Sequence, residues 1–195
     1  PLYSSAASDV YKRQEMYGHK LYKKSYNFNG LDKYMEGKFR GNHFDGVATV
    51  VEILLNIIKP DTAYFGKKDF QQLQIIRTLE TNVRIVGCET QREKSGLALS
   101  SRNNKLSSYS KDLASNIYKN LIFIKSNISN YSVEDLIKTV THNINSFDQM
   151  NLEYLIVADE EKLVPTSSIK FKKKYRVFIS VFVDGIRLID NIALN

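Results

Sequence analysis

Residues 63–88 read AYFGKKDFQQLQIIRTLETNVRIVGC, and their pattern decides the fold. Ala63-Tyr64-Phe65 is a short apolar run closed by Gly66, which reads as a buried strand. Phe70, Leu73, Ile76 and Leu79 recur at helical spacing and predict a helix over about residues 69–80 with those side chains inward. A second apolar run over 83–88 reads as another strand. Strand, helix and strand at this spacing predict a right-handed βαβ unit, hence an α/β fold with a parallel sheet. Upstream, Phe44, Val47, Ala48, Val51, Leu54, Leu55 and Ile58 mark a helix. It should stop before Pro60, because the residue preceding a proline disfavours the α region.

Downstream of Asn103 the composition shifts. Leu113, Ile117, Leu121, Ile124 and Ile128 mark one amphipathic helix; Val133, Leu136, Ile137, Val140, Ile144 and Phe147 mark another. Ser132 with Asp135 three residues on predicts its capped start. Strands follow over 154–157, 175–183 and 186–192, the last two joined at Asp184-Gly185, a strong hairpin signal. The chain therefore divides into a leader over 1–14 that is foreign to the fold or a disordered N-terminus, an α/β domain over 15–103, and a small α+β domain over 104–195.

Composition narrows the function classes. The 195 residues are 43% hydrophobic and 25% charged, as in a globular protein. No apolar run is long enough to span a membrane. The single cysteine, Cys88, rules out an intrachain disulfide and, with three histidines, argues against a zinc site, which fits a cytoplasmic setting. A net charge of +7 favours phosphate, whether on nucleic acid, on ATP or on a membrane. The densest basic stretch, Lys170 to Arg176 with Phe171 and Tyr175 interleaved, reads as a charged approach to a strand. The competing reading is an RNA-binding module.

Three polar clusters fall at element boundaries: Arg40-Gly41-Asn42-His43-Phe44-Asp45-Gly46, Phe65-Gly66-Lys67-Lys68-Asp69-Phe70-Gln71-Gln72, and Gly96-Leu97-Ala98-Leu99-Ser100-Ser101-Arg102-Asn103. The second follows a strand directly, where open parallel sheets bind ligands. Gly66 admits close backbone approach, and Lys68 offers a mobile charge to phosphate. Asp69 suits a helix cap, a hydroxyl or Mg²⁺. Gln72 lies one turn beyond Asp69, so both can face one pocket. In the third cluster two hydroxyls and a guanidinium make a phosphate clamp. Each cluster alone reads equally well as a capped helix or polar turn, and His43 alone as a local structural residue. His19 and His142 read as surface residues.

In this order and spacing the clusters resemble the pantothenate synthetase (pantoate–β-alanine ligase) family, on RGNHFDGVATVVEILLNIIKPDTAYFGKKDFQQLQIIR, GLALSSRN and the closing Arg187-Leu188-Ile189-Asp190-Asn191, over about residues 15–195. The resemblance implies a Rossmann-like nucleotidyltransferase domain closed by a smaller C-terminal domain. It also implies ATP, Mg²⁺, pantoate and β-alanine as ligands, a pantoyl adenylate intermediate, a homodimer, and no nucleic-acid or membrane partner. Lys68, Ser100, Ser101 and Arg102 would be catalytic. Gly66, Lys67, Asp69, Gln91 and Leu99 would join them around ATP, and Gln72, His43 and Arg40 would bind substrate, with no metal site built by side chains alone. Departures are Lys67 for a glutamate, Leu99 for a methionine, and Glu89-Thr90-Gln91 for a more apolar stretch. The family's His-x-Gly-His segment does not occur in the sequence, from which the isolated chain is expected to be an inactive fragment. A different nucleotidyltransferase of the same superfamily fits less well, because Asp69 and Gln72 suit a hydroxy acid better than a second nucleotide.

Overall fold

A computed structural model describes residues 24–170 and 172–195. The leader, His19 and Phe171 lie outside the described residues. In chain order the elements are α1 (Met35–Arg40), α2 (His43–Ile58), β1 (Thr62–Gly66), a 3₁₀ turn (Lys67–Asp69), α3 (Phe70–Ile76) and β2 (Arg84–Cys88). A second 3₁₀ turn (Ser101–Lys105), α4 (Ser108–Asn127), α5 (Val133–Asn145), β3 (Met150–Asp159), β4 (Tyr175–Val183) and β5 (Ile186–Ala193) complete the chain.

β1 and β2 pair in parallel with Ala63 opposite Ile85 and Phe65 opposite Gly87, as the strand–helix–strand pattern requires. α3 packs so close on this face that a Cβ at Gly87 would lie 2.7 Å from Leu73 Cδ2, so any larger residue there would force the Leu73 side chain to shift. The strand is not buried on both faces. Successive side chains alternate: Phe65 packs into the core while Tyr64 is 66% exposed. α2 ends on schedule, with Lys59 in the left-handed region donating its N–H to the Leu55 carbonyl at 2.9 Å. Its last turn is wetter than its periodicity suggests, and Ile58 is exposed. α3 is shorter than expected. After Ile76 the ladder tightens, Thr78 N–H and Leu79 N–H reaching back only three residues and the Thr78 hydroxyl donating to the Ile75 carbonyl at 2.7 Å. The inward set of Phe70, Leu73, Ile76 and Leu79 is nevertheless buried as expected.

In the second half, α4 and α5 lie on an antiparallel sheet ordered β3-β4-β5. Ser132 Oγ accepts from Asp135 N at 3.1 Å and donates to its carboxylate, which is the expected start of α5. Asp184 and Gly185 both have positive φ, 46° and 75°, the two-residue turn whose twist matches the flanking strands. β3 runs well beyond the expected 154–157, through a bulge between Leu152 and Tyr154. One hydrophobic cluster joins the two sheets: Met35, Phe70 and Leu73 pack with Tyr154, Ala158, Leu163 and Phe178. This seam sets the position of the polar clusters.

Candidate functional site

A cavity of about 190 Å³ opens beside this seam, joined to a smaller one of about 30 Å³ by shared walls of Glu36, Arg40, Lys68, Asp69, Ile189 and Asp190. Ser100, Ser101, Arg102 and Arg187 line the larger; His43 and Gln72 line the smaller. Three clusters well separated in sequence thus converge on one cleft. Asp69 and Gln72 share a wall, as their one-turn spacing requires.

The cleft rests on a buried ion-pair network. The Glu36 carboxylate receives both terminal nitrogens of Arg187, at 2.8 and 2.6 Å, and the Tyr154 hydroxyl at 3.0 Å. Arg40 approaches it at 3.4 Å from one turn along α1, and Arg187 also pairs with Glu153. Burial opposes the charge on Glu36, but the Arg187 hydrogen bonds and charge overcome it and hold the carboxyl below its ordinary value. Burial, then the Glu36 charge beside it, pushes the Tyr154 hydroxyl well up, so it stays a donor. Burial and the nearby Arg40 lower His43, which leaves its imidazole neutral at pH 7.

Electrostatically the cleft is tuned for anions. Glu36 is neutralised by Arg187, and the buried Asp190 by Arg92 in a two-point contact at 2.6 and 2.9 Å. Arg92 is itself held over the Tyr118 ring, 3.9 Å from its centre. Arg40, Lys68 and Arg102 remain to face the cavity, against the single half-exposed carboxylate of Asp69, 3.9 Å from Lys68. Arg102 gives one nitrogen to the Arg187 carbonyl at 2.7 Å, which anchors the guanidinium and leaves its other donors. Ser100 Oγ accepts from Arg102 N at 3.2 Å and so shapes its own turn.

Some expectations change. Gly66, Lys67, Gln91 and Leu99 do not line the cleft. Gly66 has an ordinary φ of −70°, and a Cβ there would meet nothing within 4 Å, so the protein itself does not demand glycine. Gln91 and Leu99 are paired through their backbones at the base of a small turn around Gly96. Lys67 pairs with Glu89: two departures from the family pattern face one another as a complementary pair. Asp69 makes no side-chain cap, so its carboxylate stays available. The described residues of the basic stretch before β4 lend the RNA-binding reading no support. Tyr175 and Arg176 are buried, and Arg176 bonds Glu160 and lies 4.1 Å from the centre of the Phe70 ring.

Several contributors escaped the sequence reading. Glu36 sits in a short segment without periodicity. Gln71 looks like a twin of Gln72 but points inward: its carboxamide oxygen accepts from Glu36 N at 2.9 Å and its nitrogen donates to the Leu31 and Tyr34 carbonyls. It thereby caps α1, which has no cap of its own. Adjacent residues on a helix point about 100° apart, which separates the two roles.

Against known proteins, the family model described as pantoate-beta-alanine ligase matches residues 6–193. A pantothenate synthetase of Christiangramia forsetii is 46% identical over 93% of this chain and 65% of its own length. One of Flavobacterium psychrophilum is 43% identical over 99% of the chain and 68% of its own. The chain thus spans about two thirds of the relatives it matches. Among solved structures, a pantothenate synthetase from Thermus thermophilus superposes with a TM-score of 0.84 at 33% identity, covering 93% of this chain and 67% of that one. A pantoate-beta-alanine ligase from Francisella tularensis, complexed with beta-gamma ATP and beta-alanine, gives 0.68 at 32% identity, over 93% of this chain and 62% of its own.

Proposed function

The chain belongs to the pantoate–β-alanine ligase family, and from that premise we propose that its cleft serves the ATP-dependent joining of pantoate to β-alanine. The observation that carries the reading is the convergence of Arg40, Lys68 and Arg102 on one cavity whose buried carboxylates are already paired. Such a cavity favours a polyanion.

The pantoate carboxylate would attack the α-phosphorus of ATP, the bond to the β-phosphate oxygen breaking to release pyrophosphate. The β-alanine amine would then attack the acyl carbon of the pantoyl adenylate, expel AMP, and lose a proton as the amide forms. Lys68 and the Ser100-Ser101-Arg102 turn would neutralise charge growing on the phosphates, where preorganised donors act most strongly. Gln72, which lines the smaller cavity, can donate and accept and would hold the hydroxyl and carboxylate of pantoate. Neutral His43 and Arg40 would complete that pocket. Mg²⁺ would supply further charge neutralisation on the phosphates. Asp69 fits it as the cleft carboxylate without an arginine partner, since Mg²⁺ in such sites takes one or two carboxylates and substrate oxygens.

Replacing Gln72 by alanine tests the assignment of the smaller cavity. KM for pantoate should rise by about tenfold or more, while KM for ATP changes by less than about twofold. Equal rises in both would show that Gln72 supports the helix rather than the substrate.

A further inference from the structure

One strand holds the second and third clusters and the α1 residue, Glu36, to which Arg40 of the first is paired. On β5, Arg187 anchors Arg102 through its carbonyl and Glu36 through its guanidinium, and four residues on Asn191 reaches the Lys67–Asp69 turn. The Asn191 nitrogen donates to the Lys68 carbonyl at 2.7 Å and the Lys67 carbonyl at 3.1 Å. Its oxygen accepts from Arg176 at 2.7 Å. A guanidinium can only donate and a carbonyl can only accept, so the carboxamide has one permitted orientation. Arg176 is in turn fixed by Glu160 and by the Phe70 ring. Asn191 is 3% exposed, so water cannot replace these bonds cheaply.

We infer that Asn191 is a positioning residue: its buried carboxamide fixes the backbone from which Lys68 reaches the phosphates of the nucleotide. The inference rests on the reading of Lys68 as a phosphate ligand. The 3₁₀ turn carrying Lys68 is three residues long and has no side-chain cap, so little within it resists rotation. Clamping two successive carbonyls from outside restricts the peptide planes on both sides of the Lys68 Cα. A lysine side chain is long and mobile, and the fixed backbone removes the part of that freedom a phosphate contact would otherwise have to overcome.

The substitution Asn191→Asp is shaped to test this. It keeps the size and the oxygen that faces Arg176, but sets a second oxygen against the two carbonyls. ATP and adenosine affinities are measured by calorimetry on the full-length protein, for the unsubstituted form, K68A, N191D and the double variant. K68A is expected to weaken ATP about tenfold or more, N191D by roughly fivefold or more, and the double variant scarcely beyond K68A, since both act through one contact. Adenosine, which has no phosphate, should bind all four alike. N191D binding ATP as the parent does, losses that multiply in the double variant, or a fall in adenosine affinity would each overturn the positioning role while leaving Lys68 in place. K68A without effect would overturn the phosphate reading and this inference with it. Should N191D lose its thermal transition, N191S, whose hydroxyl is too short to bridge both carbonyls, replaces it in the same comparison with the same expected order.

Discussion

Lys68→Ala in the full-length protein is expected to lower kcat/KM for pyrophosphate release by about tenfold to more than a hundredfold, the loss of one charge-assisted contact worth about 1.5–3 kcal/mol and more if it strengthens in the transition state. The expectation follows from position. Lys68 lines both parts of the cleft and its side chain is 19% exposed, so its charge is only partly screened by water. Lys67, one residue earlier, is the internal control: it is directed to Glu89 and lines neither cavity. Lys67→Ala should leave kcat/KM within about twofold, as exposed ion pairs contribute little. A change under about threefold for Lys68→Ala would remove it from the phosphate site.

Arg187→Ala should be the most destabilising single change in the cleft, costing about 3–5 kcal/mol, because it strands the buried Glu36 carboxylate rather than merely deleting a bond. Glu36 is 7% exposed and takes two of its hydrogen bonds from Arg187; Glu153 shares the same guanidinium. The substitution also frees α1 from β5. Urea unfolding should show the midpoint falling at an unchanged slope. A loss below about 1 kcal/mol would mean that water reaches Glu36 and satisfies it. The pH dependence gives a second reading of the same pair. The folded carboxyl of Glu36 lies below its ordinary value of 4.5, so the stability it contributes is present above that pH and is lost as pH falls through the folded value. In Arg187→Ala this acid-side loss should shrink, because the partner that depresses Glu36 is gone.

How much of this was legible in the sequence depends on the range of each cause. The hairpin at Asp184-Gly185, the cap at Ser132 and the end of α2 before Pro60 are local, set by residues within four positions, and they stand where the sequence puts them. The helical spacing of Phe70 to Leu79 correctly marks which side chains are inside. It says nothing of the tightening after Ile76, which depends on the Thr78 hydroxyl. Tyr64 shows the limit of a short apolar run: successive residues in a strand point to opposite faces, and all are buried only where a layer covers each face. In the site, residues at element boundaries were found by motif and spacing, and Arg40, His43, Lys68, Asp69, Gln72 and Ser100 to Arg102 do line one cleft. The network beneath them was hidden, because Glu36, Tyr154 and Arg187 are brought together across 118 and 151 residues of sequence. No periodicity reports such a contact. The one available signal was the adjacent polar pair Asp190 and Asn191 in a largely apolar closing strand, where successive residues point to opposite faces and yet both are buried.

The most direct test of the account is pantoate-dependent exchange of labelled pyrophosphate into ATP by the full-length protein, measured without β-alanine. If the cleft activates pantoate as an adenylate, label should enter ATP only when pantoate is present, and Lys68→Ala should abolish most of it. Exchange that ignores pantoate, or that appears only once β-alanine is added, would contradict the proposed order of steps and the assignment of Lys68 to the first of them.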